Sequence, residues 1–164
     1  HNCTEARRIE QINEWDVVLY NRTAAPWPVN DRDAVIKSQF HIIPSEKKVH
    51  INLESTTHKA QSLVDGVVRM PHLDGHYEFT VLGDNVTKVD FKINADPGGW
   101  IPKWVAKLVS RDIPYKTLSN LRKQVKKTRG APEYKAFIAK AKATEATIQR
   151  TGSVGNKVQV AAGH

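Results

Sequence analysis

Four stretches of this 164-residue chain alternate apolar and polar residues with a period of two, and then the period changes. In 34–43, Ile36, Phe40 and Ile42 share one side with Ser38. Val49, Ile51 and Leu53 alternate with His50, Asn52 and Glu54. Tyr77, Phe79 and Val81 alternate with His76, Glu78 and Thr80, and Val89, Phe91, Ile93 and Ala95 with Lys88, Asp90, Lys92 and Asn94. Successive side chains of a strand point to opposite faces, so this pattern predicts an antiparallel sheet with one dry and one wet face. After the turn cluster Asp96-Pro97-Gly98-Gly99, Ile101, Trp104, Val105 and Leu108 follow helical spacing, with Pro102 in the first turn. Leu118, Leu121 and Val125 resume that stripe beyond Pro114, which predicts one long kinked helix or two segments. A curved, one-faced sheet and one apolar-faced helix pack by laying the helix across the dry face, an α+β arrangement. One helix cannot fill a wide concavity. Either other elements fill it, or a cavity lined by Phe, Ile, Leu, Val and Trp remains and suits an apolar ligand.

The remaining elements are read with less regular patterns. Ala6, Ile9 and Ile12, with Arg7, Arg8 and Glu10 between them, predict the end of a helix over 4–14. Val17–Thr23 reads as a strand that Pro26-Trp27-Pro28 must end. Pro44-Ser45-Glu46-Lys47 and Gly83-Asp84-Asn85 read as hairpin turns. The long connection 55–71 is expected to carry function or to cover a site. Past Gly130, Pro132 restarts a helical pattern through Tyr134, Phe137, Ile138 and Ala141, and disorder is expected from Thr151 onward.

Charge is unevenly distributed. Residues 1–115 hold 14 Lys/Arg against 15 Asp/Glu, whereas 116–150 hold 10 Lys/Arg against only Glu133 and Glu145. A neutral body with a basic C-terminal segment fits either a solvated helix or attraction to an anionic surface. It does not fit a nucleic-acid binder with an aromatic and basic face, so no specific nucleic acid is expected as partner. No apolar run approaches the roughly 20 residues of a membrane-spanning helix. The single cysteine, Cys3, excludes an internal disulfide framework and a CxxC metal site. His72 and His76 are four apart, but Gly75 argues against a helix that would align them, so no metal site is expected. Neither GxSxG nor a phosphate loop is present, and no catalytic residues and no cofactor are expected.

The segment Pro26-Trp27-Pro28-Val29-Asn30-Asp31-Arg32-Asp33 resembles the start of a strand in START domains, the lipid-transfer family related to the steroidogenic acute regulatory protein. Val68-Arg69-Met70 before the Tyr77 strand fits that resemblance. So do Asp96-Pro97-Gly98-Gly99-Trp100-Ile101-Pro102-Lys103-Trp104, Pro114 and Leu118-Ser119-Asn120-Leu121-Arg122. The resemblance covers residues 1–127, which would be the C-terminal two-thirds of such a domain, with 128–164 as a basic helix and flexible tail. The chain opens on His1 rather than Met, as a fragment would.

The resemblance implies a helix-grip fold, in which a curved antiparallel sheet packs around a long C-terminal helix and encloses one lipid or sterol-like molecule. It implies non-catalytic lipid binding, with transfer and a transient membrane surface as partner. The alternative within the wider class is a cyclase- or hydrolase-type enzyme acting on a hydrophobic substrate. The expected lipid-binding residues are Ile36, Ser38, Phe40, Ile51, Leu53, Tyr77, Phe79, Val81, Phe91 and Ile93 in the wall, with Trp104, Val105 and Leu108 in the lid. Arg32 and Asp33 are expected to hold the strand start. Gly98-Gly99, Pro114 and the 55–71 connection are candidate moving parts for loading. Some family members carry an arginine inside the cavity; here the matching strand runs Val35-Ile36-Lys37-Ser38-Gln39, and alternation puts Ser38, not Lys37, with the apolar set.

Overall fold

The computed structural model describes residues 3–83, 86–132, 135, 136 and 139, without the side chains of 108–112. In chain order the strands are β1 (Cys3–Gln11), β2 (Val17–Thr23), β3 (Asp31–Ile43), β4 (Lys48–Ser55), β5 (Val67–Arg69), β6 (His72–Gly83) and β7 (Val86–Asp96). Helix α1 (Lys103–Thr128) follows. The strands form one seven-stranded sheet in the order β1-β2-β3-β4-β6-β7, with β5 beside β3. Every pairing is antiparallel except the short β3–β5 pair, which is parallel. A curved antiparallel sheet followed by a long C-terminal helix is the helix-grip class. Two units divide at Asn120, residues 1–120 and 121–164, and α1 contributes to both.

The alternating stretches became β3, β4, β6 and β7, and their register carries the same parity across the sheet. Phe40 pairs with Ile51, Ile51 with Tyr77, and Tyr77 with Phe91. Directly paired residues share a face, so the apolar sets of the four strands line up as rows. Pro44–Glu46 makes a single 3₁₀ turn between β3 and β4, closed by Lys47 in the left-handed conformation at φ 53°. Asp84 and Asn85 of the second expected turn lie outside the described residues.

The helix expected over 4–14 is a strand. Between Arg8↔Leu19 and Glu10↔Val18 the β1–β2 register skips Ile9, which is the extra residue of a bulge. Ala6 pairs with Asn21, in phase with Leu19, whereas Ile9 turns to the other face, so their spacing of three imitates a helix without the two sharing a side. Ile9 packs against the buried cluster of Val18, Tyr20 and Val35.

That cluster lies on the face opposite the apolar rows, because Val18 pairs with Lys37 and Tyr20 with Val35, both out of phase with Ile36 and Ser38. Several side chains of the 55–71 connection make their contacts on this opposite face. Gln61 accepts a hydrogen bond from Arg7, whose guanidinium sits 5.1 Å from the Tyr20 ring centre. His58 Nε2 lies 2.8 Å from Glu10, and Ser62 O accepts from Arg69 at 3.2 Å. Arg7, Glu10 and Arg69 all share the parity of Tyr20 and Val18. The connection thus reaches the second, smaller core behind the sheet, while its Val68 and Pro71 lie against Gly98 on the other side.

Helix α1 runs through Pro114 without ending. It begins behind Pro102, whose carbonyl accepts from Val105 N at 3.0 Å and Ala106 N at 3.1 Å. In the second unit, Gly130 (φ 87°) follows the helix end, and Pro132 resumes helical geometry. Tyr134, Phe137, Ile138, Ala141 and the tail from Thr151 lie outside the described residues.

Candidate functional site

The dry face is built as successive rows across the sheet. The row Ile42, Val49, Phe79 and Val89 lies toward one end, followed by Phe40, Ile51, Tyr77 and Phe91. Next comes Val17, Ser38, Leu53, Gly75 and Ile93, and then Leu19, Ile36 and Ser55. Ile36, Ser38, Phe40, Ile51, Leu53, Tyr77, Phe79, Phe91 and Ile93 thus stand together on one face, as alternation predicts. Val81, paired with Thr87, extends the face to the strand end, where it is 48% exposed. Tyr77 stacks on Phe91 with ring centres 4.5 Å apart and on Phe79 at 5.9 Å. Burial pushes the Tyr77 hydroxyl pKa up, so it stays a neutral hydrogen-bonding group.

Along these rows the apolar side chains are mostly half-buried rather than sealed. Ser38 is an exception at 3% exposed. Among the lid residues, Val105 is buried and Trp104 is 56% exposed, while the Leu108 side chain lies outside the described residues. Lys37 pairs with Val18 and Glu54 on the opposite face, so it points away from the apolar rows.

Sequence reasoning missed Val17, Leu19 and Leu73 as contributors to this face. Leu73 pairs with Ala95 in phase with Tyr77 and is buried. Val17-Val18-Leu19-Tyr20 is an unbroken apolar run, so its parity is invisible until β2 is paired. No local signal could have divided it.

At one end of the face the start of β3 is tied to the turn before α1. Arg32 is buried, and its guanidinium donates to the carbonyls of Pro97 (3.3 Å), Gly98 (3.0 Å), Trp100 (3.3 Å) and Asn30. Desolvation lowers its pKa from the ordinary arginine value, and these carbonyls take the place of an acidic partner. Gly98 and Gly99 hold φ of 61° and 62°, which only glycine adopts freely. A shallow pocket of about 190 Å³ lies here, lined by Pro28, Val29, Asn30, Arg32, Val68 and Trp100. None of the expected lipid-binding residues lines it.

Asp33 points to the opposite face and is 1% exposed. Arg69 Nε donates to it at 2.6 Å and Arg69 Nη2 at 3.0 Å, and the Tyr20 hydroxyl donates at 3.0 Å. Arg32 and Asp33 therefore act as fasteners on the two sides of one strand start.

Comparison with known proteins agrees with this geometry. Residues 1–129 match the START domain. An uncharacterized protein of Pseudomonas aeruginosa is 31% identical over 133 residues, covering 77% of this chain and 61% of the relative. Bovine phosphatidylcholine transfer protein is 32% identical over 92 residues, covering 55% of this chain and 43% of that protein. Among solved structures, a STAR-related lipid transfer protein from Xanthomonas axonopodis superimposes with a TM-score of 0.65 at 25% identity, covering 76% of this chain and 68% of the other. The fold and its apolar face define a helix-grip domain. The chain belongs to the START domain family, and it spans 61% and 43% of the length of the two curated relatives.

Proposed function

We propose that this domain binds one lipid or sterol-like molecule against its apolar face and transfers it between membranes without altering it chemically. The observation that carries this reading is the continuous apolar surface of β2, β3, β4, β6 and β7, whose side chains are only half-buried. An apolar face of that extent is costly in water, and a lipid chain is the complementary occupant. At about 0.8 kcal/mol per methylene, a sixteen-carbon chain exposes on the order of 12 kcal/mol of unfavourable contact in water, so a carrier must cover nearly all of it. Ile36, Ser38, Phe40, Ile51, Leu53, Tyr77, Phe79, Val81, Phe91 and Ile93 would form the wall. Trp104, Val105 and Leu108, at the start of α1, would form the lid. Family membership and the bovine relative's name support lipid transfer as the activity.

The basic segment would bring the domain to anionic membranes. Arg122, Lys123, Lys126 and Lys127 are exposed on α1, and each basic residue near such a surface contributes about 1 kcal/mol. Residues 128–164 add further basic side chains as an appendage to the lipid-binding domain.

The test is transfer of fluorescent phosphatidylcholine between vesicles, with native mass spectrometry of the purified chain. The expected result is one unmodified lipid per chain and transfer that Phe40→Asp abolishes while the circular dichroism spectrum is retained. Folded protein that carries no lipid and transfers none above the protein-free rate would overturn the reading. A lipid recovered chemically changed would point to the enzyme class instead. Deleting 128–164 should weaken co-sedimentation with anionic vesicles. Unchanged co-sedimentation would remove the electrostatic role.

A further inference from the structure

We infer that Ser38 is the polar anchor of the apolar face and that it reads an uncharged oxygen, a hydroxyl or an ester carbonyl, on the bound lipid. The inference rests on the proposed lipid binding. Ser38 stands directly between Val17 and Leu53 in its row, with Ile36 and Phe40 before and after it on the same side of β3. It is 3% exposed, and its hydroxyl takes no part in a hydrogen bond among the described residues.

A hydroxyl held in apolar surroundings without a partner is unfavourable, and a buried polar group ordinarily finds one. Alanine or valine would fill this strand position without that cost. Two strands away in the same row stands Gly75, which leaves the row without a side chain between Leu53 and Ile93. Leu53 stands between Ser38 and Gly75, so the hydroxyl's neighbours along the row are Val17 and Leu53.

The surroundings also select the chemistry. The charged residues of the neighbouring strand positions, Lys37, Glu54 and Asp74, pair with one another in register on the opposite face. Among the described residues of β3, β4 and β6 in this row, an ionised headgroup placed at Ser38 would meet no counter-charge, whereas a neutral oxygen needs only one hydrogen bond.

The test uses three ligands with one chain: oleyl alcohol, methyl oleate and octadec-9-ene, which carry a hydroxyl, an ester carbonyl and no polar atom. Each competes against fluorescent phosphatidylcholine for the intact chain and for Ser38→Ala. The wild-type chain should prefer one oxygenated ligand over the hydrocarbon by about tenfold, as a buried hydrogen bond would give. Which of the two wins separates a hydroxyl from an ester ligand. Ser38→Ala should reduce the preference to within about twofold, leave hydrocarbon affinity unchanged, and leave the ligand-free unfolding midpoint unchanged or raised. Ser38→Ala that retains the preference overturns the anchor while lipid binding stands. So does a variant that loses all three ligands equally and unfolds earlier, because that is a packing role. If the wild-type chain binds none of the three and no phosphatidylcholine, the lipid reading itself fails and the anchor falls with it.

Discussion

Replacing Asp33 with alanine tests whether the fastener behind the sheet holds the fold. The carboxylate is 1% exposed and Arg69 is 19% exposed, so the pair sits largely out of water. Asp33→Ala removes two bonds from Arg69 (2.6 and 3.0 Å) and one from the Tyr20 hydroxyl (3.0 Å). It leaves a guanidinium without its carboxylate beside the Val18–Tyr20–Val35 cluster. Removing one partner of such a pair costs about 3–5 kcal/mol, against a total stability of about 5–15 kcal/mol for a domain. Urea unfolding followed by tryptophan fluorescence and circular dichroism measures it. Adding Arg69→Met should recover part of the loss, because no charge is then left unpaired. A cost of about 1 kcal/mol or less for Asp33→Ala would refute the reasoning, as would strict additivity of the two changes.

The pH response of the same site has a definite sign. Burial alone would raise the Asp33 pKa, but hydrogen bonds from Arg69 and Tyr20 and the Arg69 charge outweigh burial and hold it below the ordinary value. The stabilisation is present above the unfolded carboxylate value of about 4 and is lost as pH falls through the depressed folded value. Tyr20 is raised by desolvation and by its bond to Asp33, so its contribution is complete below about pH 10 and is lost as pH rises through its folded value. Denaturation midpoints across pH should therefore fall at both extremes, and the acid limb should flatten in Asp33→Ala.

Three further substitutions probe the framework of the apolar face. Arg32→Met should destabilise by about 2–3 kcal/mol, since it leaves buried carbonyls at Pro97, Gly98 and Trp100 without their donor, and hydrogen exchange should rise across 97–102. Gly75→Ala would place a Cβ 2.6 Å from Lys92 O, a backbone atom that cannot swing away, so β6 and β7 must separate locally. A loss of about 2 kcal/mol or more in unfolding free energy is expected. Gly98→Ala combines φ of 61° with a Cβ only 2.9 Å from Pro71 Cδ, whereas Gly130→Ala at φ 87° meets nothing within 4 Å. The first should therefore cost clearly more than the second, which is left with backbone strain of about 1 kcal/mol.

Much of the candidate site was legible because strand parity is a local property. Ile36, Phe40, Ile51, Tyr77 and Phe91 share a face for the same reason in isolation as in the sheet: the side-chain period is two. What defeated the local reading was irregularity or distance. In β1, Ala6 and Ile9 face opposite sides of the sheet, yet their spacing of three also belongs to helices. The 55–71 connection has no periodicity from which its side of the sheet could be read. Asp33, Tyr20 and Arg69 are separated by 13 and 36 residues, and charge and burial patterns along the chain do not reveal such a triad.

From the sequence alone follow the one-faced sheet, the change to a long helix near Lys103, the neutral body with its basic C-terminal segment, and the membership of Ser38 in the apolar set. Each depends on neighbours within a few residues. Only tertiary structure decided which half of Val17–Thr23 faces the apolar rows, that a second core lies behind β2 and β3, and that Arg32 and Asp33 fasten opposite sides of one strand. Those outcomes depend on pairing and on hydrogen bonds between distant residues, and these exist only once the backbone has chosen its partners.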